Sequence, residues 1–370
     1  METVTAQEKS DKSSQQSAKK TQFNVNKTSC SDRVNSLLRY LLVKTVDLLL
    51  FLVLFLFVLA PLTVKLFPGM GKHFIYLNGL SLPSYFQDLS NPASFGLNST
   101  KNFYLSTDKN VVIGAWHTLP KQLEGDGYKH EEYESLLSRT KHPILLYCHG
   151  NAFTRSTSHR VALYKLLASL GFHVISFDYR GYGDSSGTPT FEDGLVTDAV
   201  TLYLWLREKA GPDVPIYVWG HSLGSGVGTK AVRYLNEKKE YPAGLILEAP
   251  FNSIYDVARS NPLLKVVSRL WWYEGALQTT MELNNIYFKT DENICHVDTP
   301  VLILHAEDDE IVPVELAYKL YESSKRRPPT FPSVTLHVFP YERRLLHKYI
   351  YTAEELPSLI RTFMDDSRKN

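Results

Sequence analysis

The chain has 370 residues, of which 44% are apolar, enough to bury a sizeable core. Its formal charge is +1, so nothing in the balance points to nucleic acid or to a broadly acidic partner. Cys30, Cys148 and Cys295 have no paired spacing, which argues against a disulfide framework or a zinc site, and Cys148 reads as a small buried hydrophobe in an apolar strand.

Residues 1–44 are rich in Ser, Gln and Lys around QEKSDKSSQQSAKKTQ and read as a disordered tail. Leu48 to Val64 follows without a charge. That run is long enough, with its flanks, to predict a membrane-spanning helix over residues 45–67. A cleaved leader is disfavoured, because Pro61 follows Ala60, the one small-residue cleavage position. Lys27, Arg33, Arg39 and Lys44 lie just before the span, against Lys65 and Lys72 near its other end. The positive-inside rule therefore puts the N-terminus in the cytoplasm and everything after about Phe67 on the far side. Asn98-Ser99-Thr100 then becomes a usable glycosylation sequon, whereas Asn26-Lys27-Thr28 falls on the wrong side.

Residues 68–100 carry prolines and Asn/Ser/Gly turns and form a membrane-proximal segment. The folded domain is expected over 101–370. NFYLST and VVIGAWHTL predict a hairpin, and PILLYCHG, FHVISFDYRG, PIYVWGHS, AGLILEAPF, VLILHAE and VTLHVFP predict six further strands. Helical segments alternate with them: SHRVALYKLLASLG, FEDGLVTDAVTLYLWLREKAG, GSGVGTKAVRYLNEK, VELAYKLYESSK and EELPSLIRTFM. Such alternation predicts an α/β fold, a mostly parallel sheet covered by helices on both faces. Residues 252–298 break the pattern with a long aromatic insert, including LLKVVSRLWWYEGALQ, that reads as a cap over an active site or as core packing.

Gly220-His221-Ser222-Leu223-Gly224 matches G-x-S-x-G between a strand and a helix, the setting of a nucleophile held on a strained turn. Gly224-x-Gly226-x-Gly228 has the wrong spacing for a dinucleotide fingerprint. A serine hydroxyl needs a base, and the base needs an orienting carboxylate. The order Ser, acid, His points to HAEDDEIVP for the acid, with Asp309 the expected residue and Asp308 the alternative; Glu248 is read as structural. Only His337 and His347 follow. His347, in a loop after the last strand, is the expected base, and His337 lies inside that strand. Oxyanion donors are expected from the N–H of Leu223 and from Asn151 in HGNA, with Ala152 as the alternative. His149, Asp178 and Arg180 are expected to fix loop shape.

YCHGNA, FDYRGYGDSSGTP, WGHSLGSGV, LEAPF, LILHAEDDEIVP and HKYIY together resemble the membrane-anchored alpha/beta-hydrolase-domain lysophospholipases. That family includes the lysophosphatidylserine lipase, which also hydrolyses monoacylglycerols, and its paralogue. The resemblance covers roughly residues 40–365, with the span and the Asn98 sequon. It implies an alpha/beta-hydrolase fold in the endoplasmic reticulum membrane, a lumenal catalytic domain, and Ser222, Asp309 and His347 as the triad. It also implies a lysophospholipid or monoacylglycerol substrate with no metal or cofactor. Two other readings stand beside it: a protein or thioester deacylase of similar topology, and a catalytically silent binding scaffold. An epoxide hydrolase or dehalogenase would need a carboxylate at position 222.

Overall fold

Alternating side chains dictate the layering of the sheet. In β3 (Ile144–Cys148), Ile144, Leu146 and Cys148 enter one core while Leu145 and Tyr147 enter the other. In β5 (Ile216–His221), Ile216 and Val218 face the first core, Tyr217 and Trp219 the second. A strand buried on both faces must be apolar at both parities, which is why these runs are continuous rather than alternating. The computed structural model describes residue 19 and residues 31–78, 87–125, 127–189, 191–261 and 264–368.

The remaining strands are β1 (Thr100–Asp108), β2 (Val111–Thr118), β4 (His173–Phe177), β6 (Gly244–Glu248), β7 (Val301–Ala306) and β8 (Val334–Phe339). They form one eight-stranded sheet in the order β1-β2-β4-β3-β5-β6-β7-β8. β1–β2 and β2–β4 pair antiparallel, and every pairing from β4 to β8 is parallel. The hairpin turns at Asn110, which takes the left-handed conformation with φ 63°. Helices Glu192–Ala210, Leu223–Glu237 and Val314–Ser324 bury their apolar faces in the first core. Helices Ser158–Ser169 and Leu356–Ser367 cover the second. The strand order brings β3, β5, β6 and β7 side by side, so their C-terminal ends converge along one edge, where ligand sites of open α/β sheets form.

Three segments differ from the sequence-based expectation. The apolar helix runs Ser31–Leu66, so residues 31–44, read as part of the tail, are helical; Leu37, Leu38, Leu41 and Leu42 extend the apolar run into the polar flank. The rest of that tail lies outside the described residues, apart from Lys19. This helix has a mean hydropathy of 2.6 in its most apolar stretch and is the one helix among the described residues long and apolar enough to cross a membrane. It loosens into a π-turn over Phe55–Leu59, just before Pro61, where a proline's missing N–H and its ring disturb the regular ladder. The insert, read as breaking the alternation, folds into helices Ile254–Ser260, Tyr273–Asn284 and the short Thr290–Asn293, with 3-10 turns at Val267–Arg269 and Ile294–His296. Ser253 caps the first, its Oγ accepting from Asp256 N–H at 3.1 Å. Finally, helix Tyr133–Arg139 was not anticipated; Tyr133 and Leu136 bury beside Leu119 in a small separate cluster.

Candidate active site

Ser222 is the residue between β5 and helix Leu223–Glu237, at φ 53° and ψ −117°. Backbone of this kind costs on the order of 1–3 kcal/mol and persists only where its surroundings enforce it. Ser222 N–H donates to Glu248 O at 2.9 Å, and Ser222 O accepts from Ser225 N–H at 2.8 Å and from Ser225 Oγ at 2.7 Å. The flanking glycines are steric requirements. A Cβ on Gly220 would lie 2.3 Å from Gly224 O, and one on Gly224 would lie 2.0 Å from Cys148 O. The turn thus packs backbone on backbone, and it holds the Ser222 side chain at the first turn of a helix whose leading N–H groups have no intrahelical acceptor.

Asp309 and His347, the expected acid and base, follow the ends of β7 and β8. His347 Nδ1 lies 2.7 Å from Asp309 Oδ2. A carboxylate only accepts, so Nδ1 carries the proton and Nε2 of the neutral ring is left as the acceptor. Asp309 is further fixed by N–H donors from Ile311 (2.8 Å) and Val312 (2.9 Å) to its Oδ1. His305 Nε2, which donates to Val312 O at 2.9 Å, stands 3.4 Å from its Oδ2. Burial pushes the Asp309 carboxyl up, but His347 and His305 outweigh it and hold the group well below the usual carboxylate range.

The rival residues fall elsewhere. Asp308 Oδ1 accepts from Leu346 N–H at 2.9 Å, so it braces the loop that carries His347. His337 sits inside β8 in register with Leu304, its ring 4.6 Å from that of Phe339. Glu248 accepts from Trp219 Nε1 at 2.8 Å. Burial pushes its carboxyl up to about 7, the Trp219 N–H pulls against that, and Asp309 adds to it.

His221, an unspecified position in the pentapeptide, has a defined contact that sequence reasoning missed. Its Nε2 donates to His347 O at 2.9 Å, tying the β5 turn to the loop that carries His347. Burial and the neighbouring His347 and His159 rings hold His221 well below the usual histidine range, so it is neutral.

The loop after β3 has an equally specific construction. Ala152 and Phe153 both sit at φ 57°. Arg160, 2% exposed on helix Ser158–Ser169, gathers carbonyls of this loop. It donates to Gly150 O (2.9 Å), Asn151 O (3.4 Å), Ala152 O (3.1 Å) and Thr154 O (2.7 Å). Drawing four carbonyls to one guanidinium turns the peptide N–H groups the other way. Of the two candidate donors, Ala152 N–H already donates to Asn151 Oδ1 at 2.9 Å, which favours Asn151 N–H. Nothing in SHRVAL distinguishes Arg160 from a solvated helix arginine; only the fold shows what it reaches.

His149 is buried and structural, its Nδ1 donating to Gly150 O at 2.7 Å. Asp178 is paired to Arg155 at 2.5 Å, and Arg155 also reaches Asp184 at 2.6 Å, while Arg180 pairs with Asp198 at 2.7 Å. These contacts fix loop shape. Cys148 is fully buried, and burial pushes its thiol up to about 12, so it is no nucleophile. Trp271 in the insert is 74% exposed, which removes the core-packing reading for that residue. Asn98 is exposed just before β1. Among the described residues, no group of three or more His, Cys, Asp and Glu is arranged to hold a metal ion.

Comparison with known proteins agrees with this architecture. The profile of a family described as Serine aminopeptidase, S33, matches residues 139–271. The chain is 43% identical over 323 residues to the lysophosphatidylserine lipase ABHD12 of Bos taurus, covering 86% of this chain and 80% of that one. It is 40% identical to Protein ABHD12B of Homo sapiens over 74% of this chain and 75% of that one. Among solved structures, an alpha-beta hydrolase from Vibrio vulnificus superposes with a TM-score of 0.57 at 18% identity, over 80% of this chain and 91% of that one. An esterase from Pyrococcus furiosus does so at 0.52 and 22% identity, over 74% and 92%. At those identities the structures speak for the fold alone. With its sheet order, its serine turn and its relatives in view, the chain belongs to the ABHD12 family of membrane-anchored α/β-hydrolases.

Proposed function

We propose that the chain is a serine hydrolase that cleaves the acyl ester of lysophospholipids, lysophosphatidylserine foremost, with monoacylglycerols as a further substrate. The likeness to the lysophosphatidylserine lipases supports the substrate class. The observation that carries the chemistry is the 2.7 Å contact of His347 Nδ1 with Asp309 Oδ2, on a loop bonded to the residue next to Ser222.

In this reading His347 Nε2 takes the proton of Ser222 Oγ as the oxygen attacks the acyl carbonyl. Asp309 keeps the ring oriented and stabilises its charged form. The N–H groups of Leu223 and Asn151 receive the oxyanion. The tetrahedral intermediate collapses, the C–O bond to the glycerol breaks, and His347 returns the proton to the leaving glycerol oxygen. Water, deprotonated by the same ring, then attacks the acyl-serine, releasing the fatty acid and restoring Ser222.

The helix Ser31–Leu66 supplies the anchor. The reading puts it in the endoplasmic reticulum membrane, N-terminus in the cytoplasm and the chain after Phe67 in the lumen. Lys27, Arg33, Arg39 and Lys44 support that orientation, as does the exposure of Asn98. Membranes carrying the chain or its Ser222→Ala variant, given lysophosphatidylserine, lysophosphatidylcholine and a monoacylglycerol, test the substrate. Fatty acid release that is fastest from lysophosphatidylserine and absent in the variant is the expected result. Release from none of the three would overturn the proposal.

A further inference from the structure

The first residues after the membrane helix do not form a loose tether. Helix Gly71–Tyr76 ends at Leu77, whose left-handed backbone (φ 47°) turns its N–H onto His73 O. The last carbonyls of a helix need other donors, and here the catalytic body supplies them. Asn151 Nδ2 donates to Ile75 O. The Tyr182 hydroxyl donates to Tyr76 O at 2.6 Å and lies 3.1 Å from Asn151 Oδ1. That same Asn151 oxygen accepts from Ala152 N–H.

Three segments far apart in sequence therefore meet on one side chain, that of the residue whose N–H is assigned to the oxyanion. Tyr76 and Tyr182 are essentially fully buried. The Tyr76 ring meets Phe288 edge to face at 6.5 Å, beyond the cap insert's second helix. The other end of the short helix is seated on that cap helix itself: a Cβ on Gly71 would lie 2.2 Å from Thr280 Oγ1. Asn78 Nδ2 adds a long contact of 3.4 Å to Gly181 O, on the loop carrying Tyr182.

We propose that helix Gly71–Tyr76 is a positioning element of the reaction, its C-terminal carbonyls holding Asn151 and Tyr182 and so setting the aim of the oxyanion loop. Arg160 grips that loop through its carbonyls; helix Gly71–Tyr76 grips it through the Asn151 amide. Asn151 can turn its N–H toward developing charge only while its side chain is held. Tyr182 acts through Asn151 and is a positioning residue. A consequence is that the segment following the anchor belongs to the catalytic unit, and a displacement of it is felt at the transition state rather than in substrate capture.

This inference rests on the assignment of Asn151 as an oxyanion donor. The test uses the full-length chain in detergent with p-nitrophenyl butyrate, a soluble ester that needs no membrane delivery. Tyr182→Phe removes one hydroxyl and keeps the ring. Gly71→Ala drives the short helix off Thr280, and Thr280→Gly in the same chain removes the clash. Losing one oxyanion donor outright typically costs 10²–10³ in kcat, so misaiming one is expected to lower kcat about tenfold in Tyr182→Phe and in Gly71→Ala. KM should stay within about twofold, and Gly71→Ala/Thr280→Gly should recover most of the rate. Tyr104→Phe, which deletes an exposed hydroxyl bonded to Asp184 at 2.9 Å, is the matched control. Wild-type kcat in both single variants, or a loss in Gly71→Ala that Thr280→Gly does not restore, overturns the proposal. Fluorophosphonate capture of Ser222 in the wild-type chain, measured alongside, separates these outcomes from a failure of the serine-hydrolase reading, in which the wild type itself would not react there.

Discussion

His347 Nδ1 and Asp309 Oδ2 stand 2.7 Å apart, with both side chains buried. That pairing decides which imidazole nitrogen is free. Asp309→Asn would present an amide that can donate to Nδ1 and so favour the wrong tautomer, and His347→Ala removes the base. Each is expected to lower kcat by about 10⁴, with the double variant His347→Ala/Ser222→Ala little worse than Ser222→Ala. Asp308→Asn keeps an oxygen for Leu346 N–H, and His337→Ala removes a ring inside β8; both should retain most activity in the same assay.

Arg160 should matter as much as a first-rank site residue while touching no substrate. Arg160→Lys cannot span four carbonyls with one ammonium, and Arg160→Met leaves buried carbonyls without donors. Both variants are expected to lose kcat by about 10- to 100-fold with a smaller change in KM. Arg160→Met should also melt at a lower temperature. Steady-state kinetics and thermal melts on the same preparations check this.

Glu248 predicts a loss of stability as pH rises from 4.5 to about 7. Its carboxyl is raised from 4.5 to about 7, so between those values the folded chain holds a proton that the unfolded chain has released. The stability from that group is complete below about pH 4 and is lost as pH rises through 7. Glu248→Gln can still accept from Trp219 Nε1, so it should raise Tm at pH 8 and change it little at pH 4.5. The buried neutral histidines act in the other direction. His149 and His221 are held well below the usual histidine range, mainly by burial, so the unfolded chain binds protons that the folded chain does not once pH falls below about 6.5. Between pH 4.5 and about 7 the two effects oppose each other, so Glu248→Gln, which removes only the carboxyl's loss, should make Tm rise more steeply with pH over that range and run parallel to wild type above about pH 8.

The proposed orientation can be read from the Asn98 sequon. In sealed microsomes an added protease should trim only the N-terminal tail. An endoglycosidase acting on the opened vesicles should reduce the mass, and Asn98→Gln should abolish that shift. Digestion of the catalytic body in intact vesicles would reverse the assignment.

Much of the fold was legible because its signals are local. Continuous apolar strands and the G-x-S-x-G turn lie in short windows of sequence, whereas Ser222, Asp309 and His347 are singled out by chain order across separate strand ends. What escaped depends on long-range partners or on weak periodicity. Helices Ile254–Ser260 and Tyr273–Asn284 carry too many half-exposed aromatics to show a clean apolar stripe, and residues 31–44 looked too polar to continue a helix. Arg160 reads like any surface helix arginine until the carbonyls of Gly150, Ala152 and Thr154 are seen around it. The contact of Tyr182 with Tyr76 spans 106 residues of chain, and no motif announces it. His221 is an unspecified letter in its pentapeptide, yet it ties the Ser222 turn to the loop that carries His347.

Ser222 is expected to form the acyl-enzyme, and covalent capture reads this out. The wild-type chain in native membranes is treated with a fluorophosphonate, digested, and its adduct located by mass spectrometry, with lysophosphatidylserine hydrolysis measured on the same sample. One adduct is expected, on the peptide containing Ser222, formed in step with the loss of hydrolysis and absent from Ser222→Ala. An adduct on another residue, or a Ser222→Ala chain that still releases fatty acid from lysophosphatidylserine, would contradict it.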